Sequence, residues 1–195
     1  MRRIVVTGSE CTGKTTLARA LAAHYGTVWV PEYARDFVVR KGASPETGDV
    51  DAIARGQIAR EDELEAEAAG LLILDTDLLS TLVYSRHYYG ARPSWIGETL
   101  DRRAGDLYLL VGIDVPWVAD GDQRDRGDRR EEMQELFRRG LTDRKLRFTE
   151  IHGEHEARVS QAVAAIDHPG SRIPDGRLEG KRATALGVAA VSHKA

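Results

Sequence analysis

The sequence lacks three features that would indicate a secreted, membrane-spanning or nucleic-acid-binding protein. Cys11 is its single cysteine, so no internal disulfide can form and a reducing compartment is expected. No apolar run approaches the roughly 20 residues that a membrane span needs, and we see no signal peptide before the first apolar segment. The formal net charge of −3 provides no basic excess for nucleic acid. We therefore expect a cytoplasmic protein with small-molecule ligands and no nucleic-acid or membrane partner.

What the sequence does contain is a phosphate-binding loop. Residues 8–15, Gly-Ser-Glu-Cys-Thr-Gly-Lys-Thr, have the spacing Gly, four residues, Gly-Lys-Thr. The glycines let backbone N–H groups converge on phosphate oxygens. Lys14 supplies a charge for the outer phosphates, and the Thr15 hydroxyl can coordinate Mg²⁺. A buried strand is predicted before the loop and a helix over 16–24 after it, which is the order that phosphate binding requires. The alternative is a glycine turn without a ligand.

The length of 195 residues allows one well-buried α/β domain and is too short for two sizeable ones. Apolar segments alternate with helical patterns, which predicts a parallel sheet with helices on both faces, a three-layer sandwich of the P-loop NTPase class. By analogy with small P-loop kinases, we expect five strands in the order 2-3-1-4-5. The domain is predicted over 1–168, with a disordered tail over 169–195. The predicted strands are 3–7, 26–30, 71–74, 107–114 and 146–151.

Two carboxylates follow the predicted third strand. Asp75 ends a continuous apolar run that is typical of a central parallel strand, so it should lie at the ligand edge of the sheet. There it could hold Mg²⁺ directly or through water. Asp77 has two interpretations, a substrate-binding residue or the N-cap of the helix predicted over 78–89.

A short segment after the predicted second strand concentrates reactive side chains. It reads Glu32-Tyr33-Ala34-Arg35-Asp36-Phe37. One interpretation is a substrate-binding turn, with carboxylates for sugar hydroxyls and an arginine for phosphate. The other is the first turn of an amphipathic helix with solvated charges. The sequence alone does not decide between them.

Two further segments are rich in charge. The helix predicted over 50–69 contains five acids between residues 61 and 67, and this run is predicted to be a solvated face. Residues 122–130 contain Arg124, Arg126, Arg129 and Arg130 among glycines and acids. Beside a phosphate-binding loop, this second segment is predicted to be a lid that closes charge over the transferring phosphates. Its alternative is a solvated run of charge.

Together, four blocks resemble the kinase domain of the bacterial NAD-biosynthesis regulator, a ribosylnicotinamide kinase. They are the phosphate-binding loop, Pro-Glu-Tyr-Ala-Arg-Asp-Phe, Leu-Asp-Thr-Asp, and Asp-Val-Pro-Trp-Val-Ala-Asp-Gly with the arginines that follow. The resemblance covers roughly residues 1–167. It implies ATP and Mg²⁺ as cosubstrates and phosphorylation of the 5′-hydroxyl of nicotinamide riboside. Enteric relatives have a tryptophan where this chain has Pro31, so the resemblance does not extend to aromatic stacking at that position.

The resemblance also implies roles for individual residues. Thr15 and Asp75 would serve Mg²⁺. Glu32, Tyr33, Arg35 and Asp36 would line the nucleoside side, and Lys14, Asp36 and Asp75 would act in catalysis with the lid residues Arg124, Arg126 and Arg129. The residues expected to bind ATP are Gly8, Ser9, Glu10, Cys11, Thr12, Gly13, Lys14, Thr15, Thr16 and Gly153.

The leading interpretation is therefore a free-standing nucleoside kinase, and two alternatives stay open. One is a P-loop kinase for another nucleoside or nucleotide. The other is an ATP-binding regulatory module that signals without turnover, although the intact Lys14, Thr15 and Asp75 favour an enzyme. The chain has neither the Asn-Lys-x-Asp motif of GTPases nor the Leu-Ser-Gly-Gly-Gln motif of ABC-type ATPases. The oligomeric state is not predictable from these features.

Overall fold

The computed structural model describes residues 1–91, 93–115 and 129–168. The predicted tail over 169–195 and residues 122–128 of the arginine-rich segment lie outside these ranges. Within them, no helix combines the length and apolar character that crossing a membrane requires. In chain order the elements are β1 (Arg2–Thr7), α1 (Lys14–Tyr25), β2 (Trp29–Val30), α2 (Tyr33–Lys41), a 3-10 turn (Thr47–Asp49), α3 (Val50–Glu65), β3 (Leu71–Asp75), α4 (Leu78–Tyr89), α5 (Ser94–Arg103), β4 (Leu107–Val111), α6 (Arg130–Asp143), β5 (Phe148–Ile151) and α7 (His155–Asp167).

The described strands form a parallel sheet in the order β2-β3-β1-β4-β5. The predicted fold class and strand order are thus confirmed. β1 pairs with β3 on one side and β4 on the other, with Val6 opposite Asp75 and Thr7 opposite Leu110. Because parallel strands end at the same edge of a sheet, this register brings Asp75 beside the loop that follows β1.

Alternate residues of the strands pack into two separate cores. Ile4 and Val6 of β1 face the core beneath α1 and α7, whereas Val5 faces the core shared by α3, α4, α5 and α6. This alternation follows from the two-residue period of a β-strand and from helices covering both faces. The result is the three-layer sandwich that the sequence predicts.

The second strand is shorter than predicted, because residues 26–28 complete helix α1 and the connection after it. Gly26 adopts a left-handed conformation, and its N–H caps the carbonyls of Ala22 and Ala23. The N–H of Thr27 also returns to Ala22, while its hydroxyl donates to the carbonyl of Leu71 at 2.6 Å. Only Trp29 and Val30 are left to pair with β3.

The acidic run of α3 is not wholly a solvated face, and the prediction is wrong for Glu61. Its side chain is buried and accepts hydrogen bonds from Arg3 and Arg103. Asp62 and Glu65, by contrast, lie at the edge of this cluster with more exposed side chains. A run of acids predicts exposure on average, but one position in the run turns inward once per helical turn.

Candidate active site

The loop between β1 and α1 has the backbone that phosphate binding requires. Gly8 has φ +130°, and a Cβ there would lie 2.9 Å from the carbonyl oxygen of Val111, so only glycine fits. Gly13 is left-handed and immediately precedes Lys14, the first residue of α1. The N-terminus of a helix favours anions through its free N–H groups and its dipole. Strand, glycine loop and helix are therefore arranged as predicted.

Gln134 of α6 holds the first limb of this loop. Its Oε1 accepts a hydrogen bond from the N–H of Ser9 at 3.0 Å, and its Nε2 donates to the carbonyl of Val111 at 3.0 Å. The side chain is buried, so both polar ends are satisfied without water. Gln134 could not be identified from the sequence, because a glutamine in a helix carries no local signal of such a role.

Arg158 of α7 holds the second limb. Its buried guanidinium donates to the carbonyl of Thr12 in the loop and to the carbonyl of Gly112 at 3.0 Å. It also donates to the carbonyl of Gly153 at 2.6 Å and to Oδ1 of Asp114 at 2.7 Å. One side chain thus joins the phosphate-binding loop to the Gly153 loop. Arg158 could not be identified from the sequence for the same reason as Gln134.

The side chain of Lys14 is buried and lies close to several carboxylates. Its Nζ donates to the carbonyl of Ser9 at 2.7 Å. Burial lowers the pKa of Lys14 from its ordinary value, and nearby carboxylates oppose that shift, Glu32 most and then Asp75 and Glu10. Glu32 therefore lies close enough for its charge to act on the lysine of the loop.

Thr15 and Asp75 form a pair of oxygen ligands that fits Mg²⁺. The Thr15 hydroxyl donates to Oδ2 of Asp75 at 2.5 Å, whereas Oδ1 is buried and has no hydrogen-bond partner among the described residues. Burial raises the pKa of Asp75, and the charge of Glu32 adds to this rise. The described residues include no cluster of three or more His, Cys, Asp or Glu side chains suited to a metal. Mg²⁺ commonly uses one or two carboxylates together with substrate phosphates, which this pair allows.

Thr76, between Asp75 and Asp77, has an unusual backbone conformation. It has φ +70°, an uncommon conformation for a β-branched residue, and its N–H donates to the carbonyl of Val6 at 3.0 Å. Asp77 follows as the N-cap of α4, the second of its two interpretations, because its Oδ1 accepts from the N–H of Leu79 at 2.9 Å. Its Oδ2 accepts from the hydroxyl of Tyr108 at 2.7 Å. Burial raises the pKa of Asp77 to about 7.

A cavity of about 630 Å³ extends from the phosphate-binding loop between α2, α3 and α4. Its volume falls within the range of roughly 300–1,000 Å³ found for small-molecule sites. One end is charged and the other is bordered by apolar residues of α2 and α3 and by polar-tipped residues of α4. Lining residues of the charged end are Glu10, Lys14, Glu32 and Arg35, and those of the α4 side are Asp77, Ser80, Thr81, Tyr84 and Tyr88.

The predicted substrate-binding turn is the first turn of α2, so the helical alternative is correct for its backbone. Glu32 and Arg35 line the cavity, and Nε of Arg35 donates to Oε2 of Glu32 at 3.1 Å. Tyr33 and Asp36 lie outside the cavity lining, on a side of α2 that meets α3. The helical period explains this division, because residues three apart share a face and adjacent residues do not.

Tyr33 and Asp36 instead attach α2 to α3. Asp36 accepts from Arg60 at 2.8 Å, and its side chain is 53% exposed. The Tyr33 ring packs against Gly56, where a Cβ would overlap it, and it lies between the guanidinium groups of Arg40 and Arg60 at 4.9 and 5.0 Å. Their predicted contacts with a nucleoside would therefore require a change from this arrangement.

A family model described as an AAA domain matches residues 3–158. The chain belongs to this family. Its similarity to the trifunctional NAD biosynthesis/regulator protein NadR of Escherichia coli reaches 29% identity over 173 residues, covering 85% of this chain and 42% of that protein. The chain thus spans about two fifths of this curated relative. The predicted resemblance to the NAD-biosynthesis regulator is confirmed.

Two solved structures share the fold of this AAA domain. A crystal structure of NadR in complex with NR has a TM-score of 0.67 at 24% identity and covers 89% of this chain and 53% of that one. A deoxyadenosine kinase from M. mycoides with bound dATP has a TM-score of 0.51 at 12% identity and covers 86% of this chain and 100% of that one. At these identities, the similarities establish the fold.

The predicted lid of this AAA domain is described only at its end. Arg124 and Arg126 lie outside the described residues. Arg129 is exposed at the start of α6, and its Nε donates to Oε2 of Glu132 at 3.2 Å. Its neighbour Arg130 is buried and donates to the carbonyl of Cys11 in the phosphate-binding loop at 3.4 Å. Arg130 belongs to the predicted arginine cluster, but the sequence assigns it no site role.

Proposed function

We propose that the chain is an ATP- and Mg²⁺-dependent nucleoside kinase that phosphorylates the 5′-hydroxyl of nicotinamide riboside. The observation that carries this proposal is the cavity itself, which joins the phosphate-binding loop to a pocket of mixed polar and apolar walls. A module that only senses ATP needs the phosphate-binding half. A kinase also needs room for an acceptor beside the terminal phosphate, and the cavity offers it between Lys14 and α4.

On the ATP side, the backbone of residues 8–16 cradles the phosphates and Lys14 neutralises charge on the transferred group. Thr15 and Asp75 would hold Mg²⁺, which supplies charge neutralisation between the phosphates. Gly153, tied to the loop through Arg158, would lie on the adenine side. Arg124, Arg126 and Arg129 would close over the phosphates as the lid. Phosphoryl transfer needs mainly this positioning and electrostatic stabilisation.

On the acceptor side, the geometry favours Glu32 over Asp36 as the carboxylate that serves the 5′-hydroxyl. Glu32 lines the cavity, and its charge acts on both Lys14 and Asp75. Asp36 is bound to Arg60 outside the cavity lining. In the reaction the hydroxyl oxygen forms a bond to the terminal phosphorus, the bond to the departing ADP breaks, and the hydroxyl proton passes to Glu32. A positioned carboxylate typically contributes about 10²–10⁴-fold to such a step.

The similarity to NadR supports nicotinamide riboside as the acceptor, because the solved NadR complex contains NR and the curated relative is named for NAD biosynthesis. A second NadR structure, with a TM-score of 0.66 at 24% identity over 89% of this chain and 51% of that one, contains NAD and AMP-PNP. The AMP-PNP supports ATP as the phosphate donor. The mixture of acids and aromatic residues around the cavity suits a cationic nucleoside.

The test is acceptor-dependent release of ADP by the purified chain with ATP and Mg²⁺. The panel contains nicotinamide riboside, adenosine, deoxyadenosine, thymidine, thymidine monophosphate and no acceptor, and mass spectrometry identifies each product. We expect turnover with nicotinamide riboside that exceeds turnover with the other acceptors. Preference for another acceptor would retain the kinase and reject the substrate. ADP release that no acceptor stimulates would reject the kinase.

A further inference from the structure

Behind the cavity, the buried side chains of Gln57 and Glu61 form a chain of hydrogen bonds that the proposed chemistry does not use. Gln57 of α3 lines the cavity and is buried. Its Oε1 accepts from the N–H of Tyr33 at 3.0 Å, and its Nε2 donates to Oε1 of Glu61 at 3.2 Å. Both ends of the amide are therefore engaged, which fixes its orientation.

The far end of this chain is anchored to the sheet. Oε2 of Glu61 accepts from Arg3 of β1 and, at 3.3 Å, from Arg103 of α5. β1 is also the strand that leads into the phosphate-binding loop. A buried carboxylate with two cationic partners and an amide donor has little freedom to move, because losing any partner leaves a charge uncompensated. Gln57 is thus held from behind by a rigid group.

The near end of the chain is the start of α2, which is also held by the Tyr33 ring against Gly56 and by Arg60, whose guanidinium donates to Asp36 and to the carbonyl of Pro31. No residue of α2 is buried, so apolar packing contributes little to its position. The first N–H groups of a helix have no partner within the helix, and Gln57 satisfies the one at Tyr33. Glu32 precedes this amide directly. The direction of the Glu32 carboxylate consequently depends on where Gln57 holds the backbone, together with the hydrogen bond that the carboxylate accepts from Arg35.

We propose that Gln57, oriented by Glu61, is a positioning residue that aims Glu32 at the acceptor hydroxyl. The inference rests on the proposed function, since it assigns Gln57 a part in the same reaction. Through Glu61 and Gln57, α3 would then connect β1, the strand that leads into the phosphate-binding loop, to the acceptor side of the cavity. The phosphate-binding loop is held by two other side chains, Gln134 and Arg158.

The first test is Gln57→Met, which keeps side-chain length and removes both hydrogen-bonding groups. We expect kcat for nucleoside phosphorylation to fall about 10- to 100-fold, as for a small misplacement of a reacting group. The Kd for ATP should stay within about twofold, because no contact of Gln57 reaches the phosphate-binding loop. An unchanged kcat in the folded variant would overturn the proposal.

A double-mutant cycle with Glu32→Gln separates positioning from other roles. If Gln57 acts through Glu32, then Gln57→Met should cause little further loss in the Glu32→Gln background, since coupled residues are not additive. Equal fold-losses in both backgrounds would overturn the proposal, because they would mean that Gln57 contacts the nucleoside directly or supports the fold generally.

A matched pair and a measurement without turnover complete the test. Glu61→Gln and Glu65→Gln each remove a partner of Arg3, but only Glu61 contacts Gln57, so only Glu61→Gln should lower kcat. Amide hydrogen exchange over residues 33–40 should be faster in Gln57→Met than in the parent, with the amides of residues 8–16 unchanged. Unchanged exchange would overturn the positioning role whether or not the parent chain is active. A parent chain that phosphorylates no acceptor would instead reject the proposed function.

Discussion

The two ends of the cavity are built differently. At the phosphate end, buried side chains from α6 and α7 hold the loop backbone, and a Cβ at Gly8 would collide with β4. At the end proposed to take the acceptor, which α2 borders, that helix has no buried residue and is fixed to α3 mainly by polar and aromatic contacts. The phosphate end is therefore specified by backbone geometry, whereas the acceptor end is specified by which side chains α2 turns inward.

This difference indicates how each end could change. Any nucleotide presents the same phosphates, so a backbone cradle suits many enzymes. An acceptor differs from one enzyme to another, and a helix held by side chains can be redirected by few substitutions. We expect substitutions at the phosphate end to affect every acceptor alike, and those at the acceptor end to separate acceptors from ATP.

The largest effect should come from Lys14→Ala at the phosphate end. Removing a charge that stabilises the transferring phosphate should lower turnover by at least about 10²-fold, roughly 3 kcal/mol, with every acceptor. Lys41→Ala is the control, since this lysine pairs with Asp49 and Glu46 at the end of α2. Steady-state kinetics on both variants measures the difference. Turnover of folded Lys14→Ala close to that of Lys41→Ala would contradict the role of Lys14.

The pH dependence of unfolding should show that the Asp77 carboxyl, although it lines the cavity, contributes to the stability of the fold. Because burial raises its folded-state pKa to about 7, its contribution to stability is full below the unfolded pKa near 4 and is lost as pH rises through about 7. Asp77→Asn keeps one oxygen to cap the N–H of Leu79, presents an amide donor to the Tyr108 oxygen in place of the second acceptor, and cannot titrate. Between pH 4 and 8, the free energy of unfolding of the parent should fall relative to the variant by a few kcal/mol. Denaturant unfolding at a series of pH values measures this, and parallel curves would contradict it.

Arg158→Lys should separate ATP from the acceptor. Lysine cannot reproduce the four hydrogen bonds that Arg158 donates to Thr12, Gly112, Asp114 and Gly153. We expect the KM for ATP to rise about 10-fold, as for loss of a charged hydrogen bond, while the KM for the nucleoside changes little. Arg139→Lys, in an exposed pair with Glu135, is the control. A larger change in the nucleoside KM than in the ATP KM would contradict the distinction between the two ends of the cavity.

The smallest effects should come from substituting two serines of α4. One substitution should change the kinetics and the other the stability. Ser80 lines the cavity, and its buried hydroxyl has no hydrogen-bond partner among the described residues. Ser85 is also buried, but its hydroxyl donates to the carbonyl of Leu82 at 3.1 Å. Ser80→Ala should not lower stability, since it removes an unsatisfied group, but it should lower kcat/KM for the nucleoside severalfold. Ser85→Ala should cost about 1 kcal/mol of stability and leave kinetics unchanged.

Thermal unfolding and kinetics on the two alanine variants measure these opposite expectations. A destabilised Ser80→Ala with normal kinetics would show that the hydroxyl serves the fold and not the acceptor.

The phosphate end could be predicted from sequence because its signal is local. The loop spacing, the flanking strand and helix, and the apolar run before Asp75 all lie within short segments. Gln134 and Arg158 could not be predicted, because each contacts the loop across more than a hundred residues of sequence. Only the assembled sheet brings α6 and α7 to that loop.

At the proposed acceptor end, the sequence pointed to a segment of which Glu32 and Arg35 line the cavity, but it did not give the orientation of that segment. Residues 32–36 carry the same charges whether they form a turn or a helix. The contacts of Tyr33 with Gly56 and of Asp36 with Arg60 decide which of them turn away from the cavity. Glu61 shows the same limit, because its inward direction depends on arginines from β1 and α5.

The most direct test of the account compares Glu32→Gln with Asp36→Asn. Both remove one charge from the first turn of α2, but only Glu32 lines the cavity beside Lys14. With nicotinamide riboside, Glu32→Gln should release ADP about 10²-fold more slowly than the parent, whereas Asp36→Asn should stay within about threefold, and calorimetry should show ATP bound equally by all three. A slow Asp36→Asn beside a normal Glu32→Gln would contradict the account.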